Sequence, residues 1–285
     1  MSQMPTQSTL QSLLTIATEA TAAGAQVLSR RAQIAPTGIA LSHADTGIET
    51  KSSASDLVTD FDKRAEDAVR EVIAAYRPHD VISGEEYGTT EVSEPTGYRW
   101  SIDPLDGTTN FVRGVVYYGT SVGLQAPSGE WIIGVVEAPV LRRRWWAIRG
   151  QGAYTAHDDH PEQIRLRGPR GVAREGLLAT GFGYDAERRQ DQAQAVAAML
   201  ETFGNLRRLG AAALDMCMVA DGTLDAYAEY GIQEHDWAAG ALIAEEAGLQ
   251  VYRPAFPDGN ADPDWCVVGE LGIELNRLSP PPRAF

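Results

Sequence analysis

The stretch "WSIDPLDGTTNF", from Trp100 to Phe111, places Asp103 and Asp106 behind an apolar entry typical of a buried strand. A β-hairpin is one interpretation, because Asp-Gly is a strong turn signal. Pro104 would interrupt its ladder, however, and "TTN" is typical of a helix start. An EF-hand loop would need acidic residues at alternate positions. We therefore predict a strand that turns into a helix N-terminus, with carboxylates for cations beside N–H groups for an anion.

Three other segments carry acidic residues near predicted strand or helix ends. They are Glu85 and Glu86 in "VISGEE", Asp56, Asp60 and Asp62 in "DLVTDFD", and Asp236 in "EHDWAAG". Taken singly, each has a simpler interpretation as a solvated strand end or a helix cap. Together they mark the junctions where ligands usually bind in sheet proteins.

Composition limits the classes of function. The chain has 285 residues, enough for one large domain or two closely packed halves, and its formal net charge is −15. This charge argues against general binding to nucleic acid or to an anionic membrane. The N-terminus lacks a signal-peptide pattern, and Cys217 and Cys266 have no metal-type spacing. We expect a cytoplasmic protein with reduced, inert thiols and no membrane or nucleic-acid partner.

Hydrophobic periodicity predicts the order of the elements. Residues 8–32 and a segment from Asp60 to Pro78 are predicted helices, followed by antiparallel strands in the middle of the chain. After about residue 160, helices and strands alternate, which indicates an α/β half. We predict a single domain over 1–285, with most metal ligands in 1–160 and the substrate side and last metal ligand in 161–285. The tail "PPPRAF" is predicted to be disordered or draped on the surface.

With these segments in order, the chain resembles the inositol monophosphatase family of magnesium-dependent, lithium-sensitive phosphatases, and within it bacterial inositol-1-monophosphatases. The resemblance spans residues 50–250 and is carried by "KSSASDLVTDFD", "GEE", "DPLDGTTNF", "GAAALDMCMVADGTLDAYAEYG" and "HDWAAGALIAEEAG". It implies an α+β or α/β fold, a layered α/β/α/β/α sandwich of the inositol monophosphatase and fructose-1,6-bisphosphatase type, usually as a homodimer.

The resemblance also implies a metal site of two or three Mg²⁺ ions. Glu85, Asp103 and the carbonyl of Leu105 would hold one ion, and Asp103, Asp106 and Asp236 a second. Such oxygen ligands suit Mg²⁺, and two ions would activate a water for direct attack on a phosphate monoester. His235 stands where the family often has tryptophan.

Further roles follow from the same resemblance. Asp62 and Thr108 would position the attacking water, and Glu85 would act with them as a catalytic residue. Asp62 would also contact a third ion. Spacing alone does not distinguish Asp62 from the nearby Asp60, although the family pattern favours Asp62. The implied substrate-binding residues are Glu85, Leu105, Asp106, Gly107, Thr108, Gly210, Ala211, Ala212, Glu229 and Asp236. The predicted substrate is inositol-1-phosphate, with histidinol phosphate or another sugar or nucleotide phosphate as the alternative.

Three rival interpretations stay open. Gly181, Gly183 and Ala186 fit a dinucleotide-binding G-x-G-x-x-A pattern, although no acidic residue follows at the spacing that a ribose contact requires. A scaffold that kept the fold without the chemistry is the second rival. The run "RRRWWAIRG" is a weak signal for nucleic-acid stacking, and we expect Trp145 and Trp146 to divide instead between core and surface of a strand.

Overall fold

The computed structural model describes residues 5–51, 57–169, 176–254, 264–278 and 280–281. Asp56 and the last four residues of the predicted tail lie outside these ranges. The described helices of four or more residues are α1 (Gln7–Ser29), α2 (His43–Thr46), α3 (Asp60–Tyr76), α4 (Thr108–Arg113), α5 (Ala186–Met199), α6 (Ala212–Asp221) and α7 (Glu234–Glu246). Short 3₁₀ turns follow at Arg30–Gln33 and Leu275–Arg277.

The two predicted N-terminal helices are confirmed. Helix α1 begins where the Thr6 side chain accepts a hydrogen bond from the N–H of Thr9, and its periodic leucines and alanines are buried. Helix α3 begins after Thr59, and the Asp62 carboxylate accepts a hydrogen bond from the Thr59 N–H. Between the two helices, strands β1 (Glu49–Thr50) and β2 (Leu57–Val58) pair antiparallel.

An eight-stranded sheet occupies the middle of the chain. Its members are β3 (Val81–Gly84), β4 (Gly88–Thr89), β5 (Arg99–Asp106), β6 (Gly119–Gln125), β7 (Trp131–Ala138), β8 (Arg143–Ile148), β9 (Gly152–His157) and β10 (His160–Arg165). The spatial order is β10-β9-β8-β7-β6-β5-β3-β4. The prediction of a purely antiparallel sheet is wrong at one pair, because β3 runs parallel to β5. Helix α3 precedes β3, and the two parallel strands end beside each other at the candidate site.

A second, five-stranded sheet follows. It consists of β11 (Leu177–Ala179), β12 (Asn205–Arg207), β13 (Ala226–Tyr230), β14 (Val251–Tyr252) and β15 (Trp265–Val268), in the order β12-β11-β13-β15-β14. Strand β11 is parallel to both β12 and β13, as the predicted alternation of helix and strand favours. The strands β12, β14 and β15 are short and were not predicted.

The two sheets and the helices form five layers. Helices α1 and α3 cover the outer face of the large sheet, and α5 packs on the outer face of the small one. Helices α6 and α7 lie between the sheets and contribute to the largest hydrophobic cluster with side chains from both. The predicted α/β/α/β/α sandwich is confirmed. No helix in the described ranges is long and apolar enough to span a membrane.

Candidate active site

A bulge in β5 brings its two aspartates to one face. Asp103 pairs with Ser121 and Asp106 with Gly119, so three steps along β5 match two steps along β6. Residues an odd number apart on a regular strand point to opposite faces, and the extra residue cancels this alternation. Both carboxylates therefore face the layer of α6 and α7. The Thr120 hydroxyl donates to the carbonyl of Pro104, inside the bulge, at 2.9 Å.

The predicted turn from strand to helix lies directly after this bulge. Gly107 has φ +94°, a conformation that glycine adopts at little cost, and it is the N-cap of the six-residue helix α4. The "TTN" residues therefore form the first turn of α4, and the cap itself lies one position earlier than predicted. Thr108 is thereby placed beside the carboxyl end of β5.

Asp106 joins this strand to the second half of the chain. Its two carboxylate oxygens accept hydrogen bonds from the backbone N–H groups of Ala212 at 3.0 Å and Ala213 at 2.8 Å. These are the first residues of α6, whose N-cap residue, Ala211, has no side-chain hydrogen bond to offer. Asp106 thus satisfies free N–H groups of a helix that begins 106 positions away.

Asp62 and Thr108 are in direct contact. The Thr108 hydroxyl lies 2.9 Å from Oδ1 of Asp62 and 3.1 Å from the carbonyl oxygen of Leu105, so it can donate to either. The other oxygen of Asp62 accepts from the N–H and hydroxyl of Thr59. Asp60, by contrast, is exposed on the other side of the helix start. The structure therefore distinguishes the two aspartates, which spacing alone could not: Asp62 contacts Thr108, and Asp60 faces solvent.

Glu85 has a cationic neighbour that the sequence reasoning missed. The ammonium of Lys51 lies 2.9 Å from Oε1 of Glu85 and 2.5 Å from Oε1 of Glu86. Burial alone would raise the pKa of Glu85, but His235 and Lys51 hold it below its ordinary value. The position of Lys51, at the start of the quoted segment "KSSASDLVTDFD", is a signal that points to it.

The turn after β3 depends on a second missed residue, Glu66. Its buried carboxylate accepts from the N–H of Glu86 at 2.7 Å and the N–H of Tyr87 at 3.2 Å, and it pairs with Arg70 at 2.7 Å. Glu66 thereby fixes the backbone that presents Glu85. Its position on the buried side of α3 is the only signal for it in the sequence.

Asp236 is part of the first turn of α7 rather than its N-cap. Gln233 is the N-cap, and its N–H donates to the Asp236 carboxylate at 2.5 Å. The prediction that Asp236 occupies the cap is therefore wrong by three positions, because an aspartate at the third helical residue can reach back in the same way. Nε2 of the neighbouring His235 lies 3.8 Å from the Asp236 carboxylate.

The carboxylates act on one another electrostatically. Burial raises the pKa of Asp103 well above its ordinary value, and the charges of Glu85, Asp106 and Asp236 raise it further. Burial and Asp236 likewise raise the pKa of Asp106, although the N–H groups of α6 oppose this. The pKa of Asp62 is raised to about 7, chiefly by burial. Such mutual repulsion is relieved when a cation binds between the groups.

The predicted substrate side lies next to this cluster. Gly210 and Ala211 precede α6, and Glu229 lies on β13 with its carboxylate accepting from the Tyr227 hydroxyl at 2.9 Å. Burial raises the pKa of Glu229 to about 7, the charge of Asp236 adds to the rise, and Arg208 opposes it. Glu229 and Asp236 are therefore electrostatic neighbours across the gap between β13 and α7.

Two other missed residues form a buried hydrogen bond beside α6. The Tyr117 hydroxyl lies 2.7 Å from Oδ1 of Asp215, a residue of the first turn of α6. Both residues are buried, and burial raises the pKa of Asp215 well above its ordinary value. In sequence, Asp215 is an isolated acidic residue within the apolar "AAALDMCM", and this is the signal by which it could have been found.

The glycine pattern in "GFGYDA" has other causes. A Cβ on Gly181 would lie 1.9 Å from the Glu229 carboxylate, so this position is small because Glu229 approaches it. Asp185 caps α5 by accepting from the N–H of Arg188 at 2.8 Å. A carboxylate against the loop and a side chain on the helix N-terminus both oppose pyrophosphate binding.

The tryptophan pair divides as predicted. Trp145 is fully buried, whereas Trp146 is half-buried and stacks on Tyr154. The neighbouring Arg143 forms an ion pair with Asp221 at 2.9 Å, and Arg144 one with Glu137 at 2.6 Å. These cations are therefore engaged within the fold.

Comparisons with known proteins identify the family. Residues 9–267 match the model of the inositol monophosphatase family, and the chain belongs to this family. Inositol-1-monophosphatase SuhB of Mycobacterium tuberculosis is 40% identical over 235 residues, which cover 80% of this chain and 79% of the relative. Nus factor SuhB of Pasteurella multocida is 38% identical over 230 residues, covering 80% and 82%.

Solved structures agree with this assignment. The structure of Mycobacterium tuberculosis SuhB superposes with a TM-score of 0.71 at 34% identity, covering 90% of each chain. An IMPase/NADP phosphatase complexed with Mg²⁺ and phosphate has a TM-score of 0.69 at 22% identity, covering 92% of this chain and 91% of its own, and shares the fold.

The role of Asp106 as a cap predicts a contrast between two variants in EDTA. We expect the free energy of unfolding of Asp106→Asn to be about 1–3 kcal/mol lower than that of Asp103→Asn, because both variants lose a repelling carboxylate but only the amide at position 106 turns a donor toward an N–H of α6. Asp103→Asn should be at least as stable as the wild type, since it removes a mutually repelling carboxylate. Urea denaturation measures both, and equal losses would contradict the cap.

The raised pKa of Glu229 predicts a pH dependence of stability. Between about pH 4.5 and 7 the unfolded chain has lost this proton and the folded chain keeps it, so stability falls as pH rises through this interval. Glu229→Gln should therefore gain stability relative to the wild type as pH rises from 4.5 to 7. Urea denaturation in EDTA across this range measures it, with Glu162→Gln on the exposed part of β10 as control.

Proposed function

We propose that this protein hydrolyses a small phosphate monoester with Mg²⁺, and that the attacking group is a water molecule. The observation that carries the proposal is the group of Glu85, Asp103, Asp106 and Asp236, whose charges act on one another within a largely buried site. Membership of the inositol monophosphatase family and the similarity to inositol-1-monophosphatases support it.

The donor set fits magnesium. All the proposed ligands are oxygens, namely the carboxylates of Glu85 and Asp103 with the Leu105 carbonyl for one ion, and Asp103, Asp106 and Asp236 for another. Within the described ranges, no three histidine, cysteine, aspartate or glutamate side chains are arranged as around one bound ion. Burial and mutual repulsion nevertheless raise the pKa values of Asp103 and Asp106, and a bound cation would offset that repulsion.

Bound Mg²⁺ would supply charge that offsets the carboxylates, lowers the pKa of a bound water and stabilises the leaving oxygen. Two ions are proposed, with a third near Asp62. The remaining work belongs to side chains. The Thr108 hydroxyl donates a hydrogen bond to the Asp62 carboxylate. Its oxygen can then accept a hydrogen bond from a water molecule. A pKa of about 7 suits Asp62 to exchange protons near neutral pH.

Glu85 is proposed to act with Asp62 and Thr108 as a catalytic residue. Its backbone is fixed by the turn that Glu66 organises, and its own carboxylate is held by Lys51. The phosphate is proposed to lie beside Gly107 and Thr108, at the end of β5, where the ligand carboxylates meet.

We propose an inositol monophosphate as the substrate. Glu229 would bind a substrate hydroxyl, and the backbone of Gly210, Ala211 and Ala212 would approach the ring. The half-buried Glu229 carboxyl, with a pKa of about 7, can both accept from and donate to a hydroxyl. Arg208 lies near enough to affect Glu229, and its positive charge disfavours a substrate ammonium at the same place. This favours a polyol phosphate over histidinol phosphate.

The alternative to an enzymatic function is a role in binding another protein. The Pasteurella multocida relative carries the name Nus factor, which favours a partner protein for some members of the family. Retention of the whole carboxylate set in this chain supports catalysis. We also propose that the protein is cytoplasmic and forms a homodimer. Sedimentation of the purified protein tests the oligomeric state.

The substrate proposal is tested by measuring catalytic efficiency on inositol-1-phosphate, histidinol phosphate and fructose 1,6-bisphosphate. We expect inositol-1-phosphate to be preferred and Glu229→Gln to keep part of that activity, because an amide still bonds a hydroxyl. Preference for histidinol phosphate, with severe loss in Glu229→Gln, would show a charge pair with an ammonium instead.

The metal proposal predicts that EDTA abolishes phosphate release and that Mg²⁺ restores it. Asp103→Asn should lower turnover by roughly 100-fold or more, in the range seen when a group that stabilises developing charge is lost. Asp264→Asn is the matched control, because Asp264 is also buried and hydrogen-bonded but is not one of the proposed metal ligands. Full activity in EDTA would contradict the proposal.

The water-positioning role predicts that Thr108→Ala lowers turnover by roughly 100-fold while KM changes little. The control is Thr155→Ala, which removes a buried hydroxyl of β9 that donates to the backbone carbonyl of Arg144 and is not among the proposed site residues. An increase in KM with normal turnover would assign Thr108 to phosphate binding instead.

A further inference from the structure

The position of Asp106 depends on where α6 begins. Both oxygens of its carboxylate accept from N–H groups of the first turn of α6, at 3.0 and 2.8 Å, so a shift of this turn moves the carboxylate with it. The N-cap residue, Ala211, has no side-chain hydrogen bond with which to fix the turn by itself. The first turn of α6 must therefore be held by contacts from elsewhere.

Tyr117 supplies one such contact. It lies in the segment between α4 and β6, and its hydroxyl donates to Oδ1 of Asp215 at 2.7 Å. Asp215 is the fourth residue of α6, and its relative exposure is 1%. The bond is thus a buried link between the chain that follows the metal-site strand and the helix that holds Asp106.

Asn110 supplies two more. Its side-chain Nδ2 donates to the carbonyl oxygen of Tyr117 at 2.7 Å and to that of Leu209 at 2.8 Å. Leu209 precedes the predicted substrate segment 210–212, so one amide group joins α4, the Tyr117 segment and the approach to α6. Both amide hydrogens are used, which fixes the geometry of all three.

We propose that Tyr117, Asp215 and Asn110 are positioning residues, which hold the first turn of α6 so that Asp106 is oriented to bind Mg²⁺. The inference rests on the proposed function, since it assigns these residues to that metal site. Groups that orient a ligand in this way change metal affinity by about 10- to 100-fold when removed.

The chain contains a matched control for the hydrogen bond between Tyr117 and Asp215. The Tyr252 hydroxyl donates to Oδ2 of Asp264 at 3.0 Å, and Asp264 is buried as Asp215 is. This pair joins β14 to the residue that precedes β15 in the second sheet. Tyr117→Phe and Tyr252→Phe therefore remove the same kind of bond, and only the first bond reaches the first turn of α6.

The test measures the Mg²⁺ concentration at half-saturation twice for each protein, from the rise in melting temperature and from phosphate release. We expect Tyr117→Phe to need about tenfold more Mg²⁺ than the wild type by both measures, with turnover at saturating Mg²⁺ nearly unchanged. Tyr252→Phe should respond to Mg²⁺ as the wild type does. Asp215→Asn, which keeps an acceptor oxygen for Tyr117, should show a smaller shift than Asp215→Leu.

The same half-saturation in Tyr117→Phe and the wild type would overturn the inference while leaving the proposed function intact. Equal shifts in Tyr117→Phe and Tyr252→Phe would overturn it too, since they would reflect lost stability alone. A wild-type protein with no Mg²⁺-dependent rise in melting temperature and no phosphate release would overturn the proposed function itself, and the inference with it.

Discussion

The hydrogen bonds from the first turn of α6 to Asp106 join the large sheet to the helices between the sheets at the candidate active site. They satisfy N–H groups that no side chain of α6 caps, and they hold a carboxylate that would otherwise be buried with little compensation. One interaction therefore serves both the packing of the second half on the first and the orientation of a proposed metal ligand. Helix α6 lies between the sheets, where it reaches β5, and the apolar side chains of α6 and α7 pack there against both sheets.

The clustered carboxylates of the candidate active site also need positive charge from other parts of the chain. Lys51 lies against Glu85 and Glu86, and the backbone N–H groups of α6 offset Asp106. Asp103 keeps a strongly raised pKa despite these groups. The proposed divalent cation would offset this charge, and it would let a chain with a net charge of −15 bind an anionic phosphate ester.

Rigid support surrounds the proposed ligands. Glu66 fixes the turn that carries Glu85, Thr59 fixes the carboxylate of Asp62, and Gln233 fixes that of Asp236. The last two arrangements are alike, since each aspartate is the third residue of a helix and bonds the N-cap backbone. In both helices the same carboxylate caps the helix start and faces the candidate site. A role as a helix cap and a role in the site are therefore compatible for Asp62 and Asp236.

The sequence by itself determined the features that depend on near neighbours: helices α1 and α3, the turn from β5 into α4, the acidic positions and, through their ordered motifs, the family. Packing decided the rest. The bulge that brings Asp103 and Asp106 to one face arises from pairing with β6, and regular alternation would have placed them on opposite faces. Lys51, Glu66 and the Tyr117–Asp215 bond were missed because their partners lie 20 to 98 positions away. Periodicity reports which side of an element is buried, and only the folded chain decides which groups meet there.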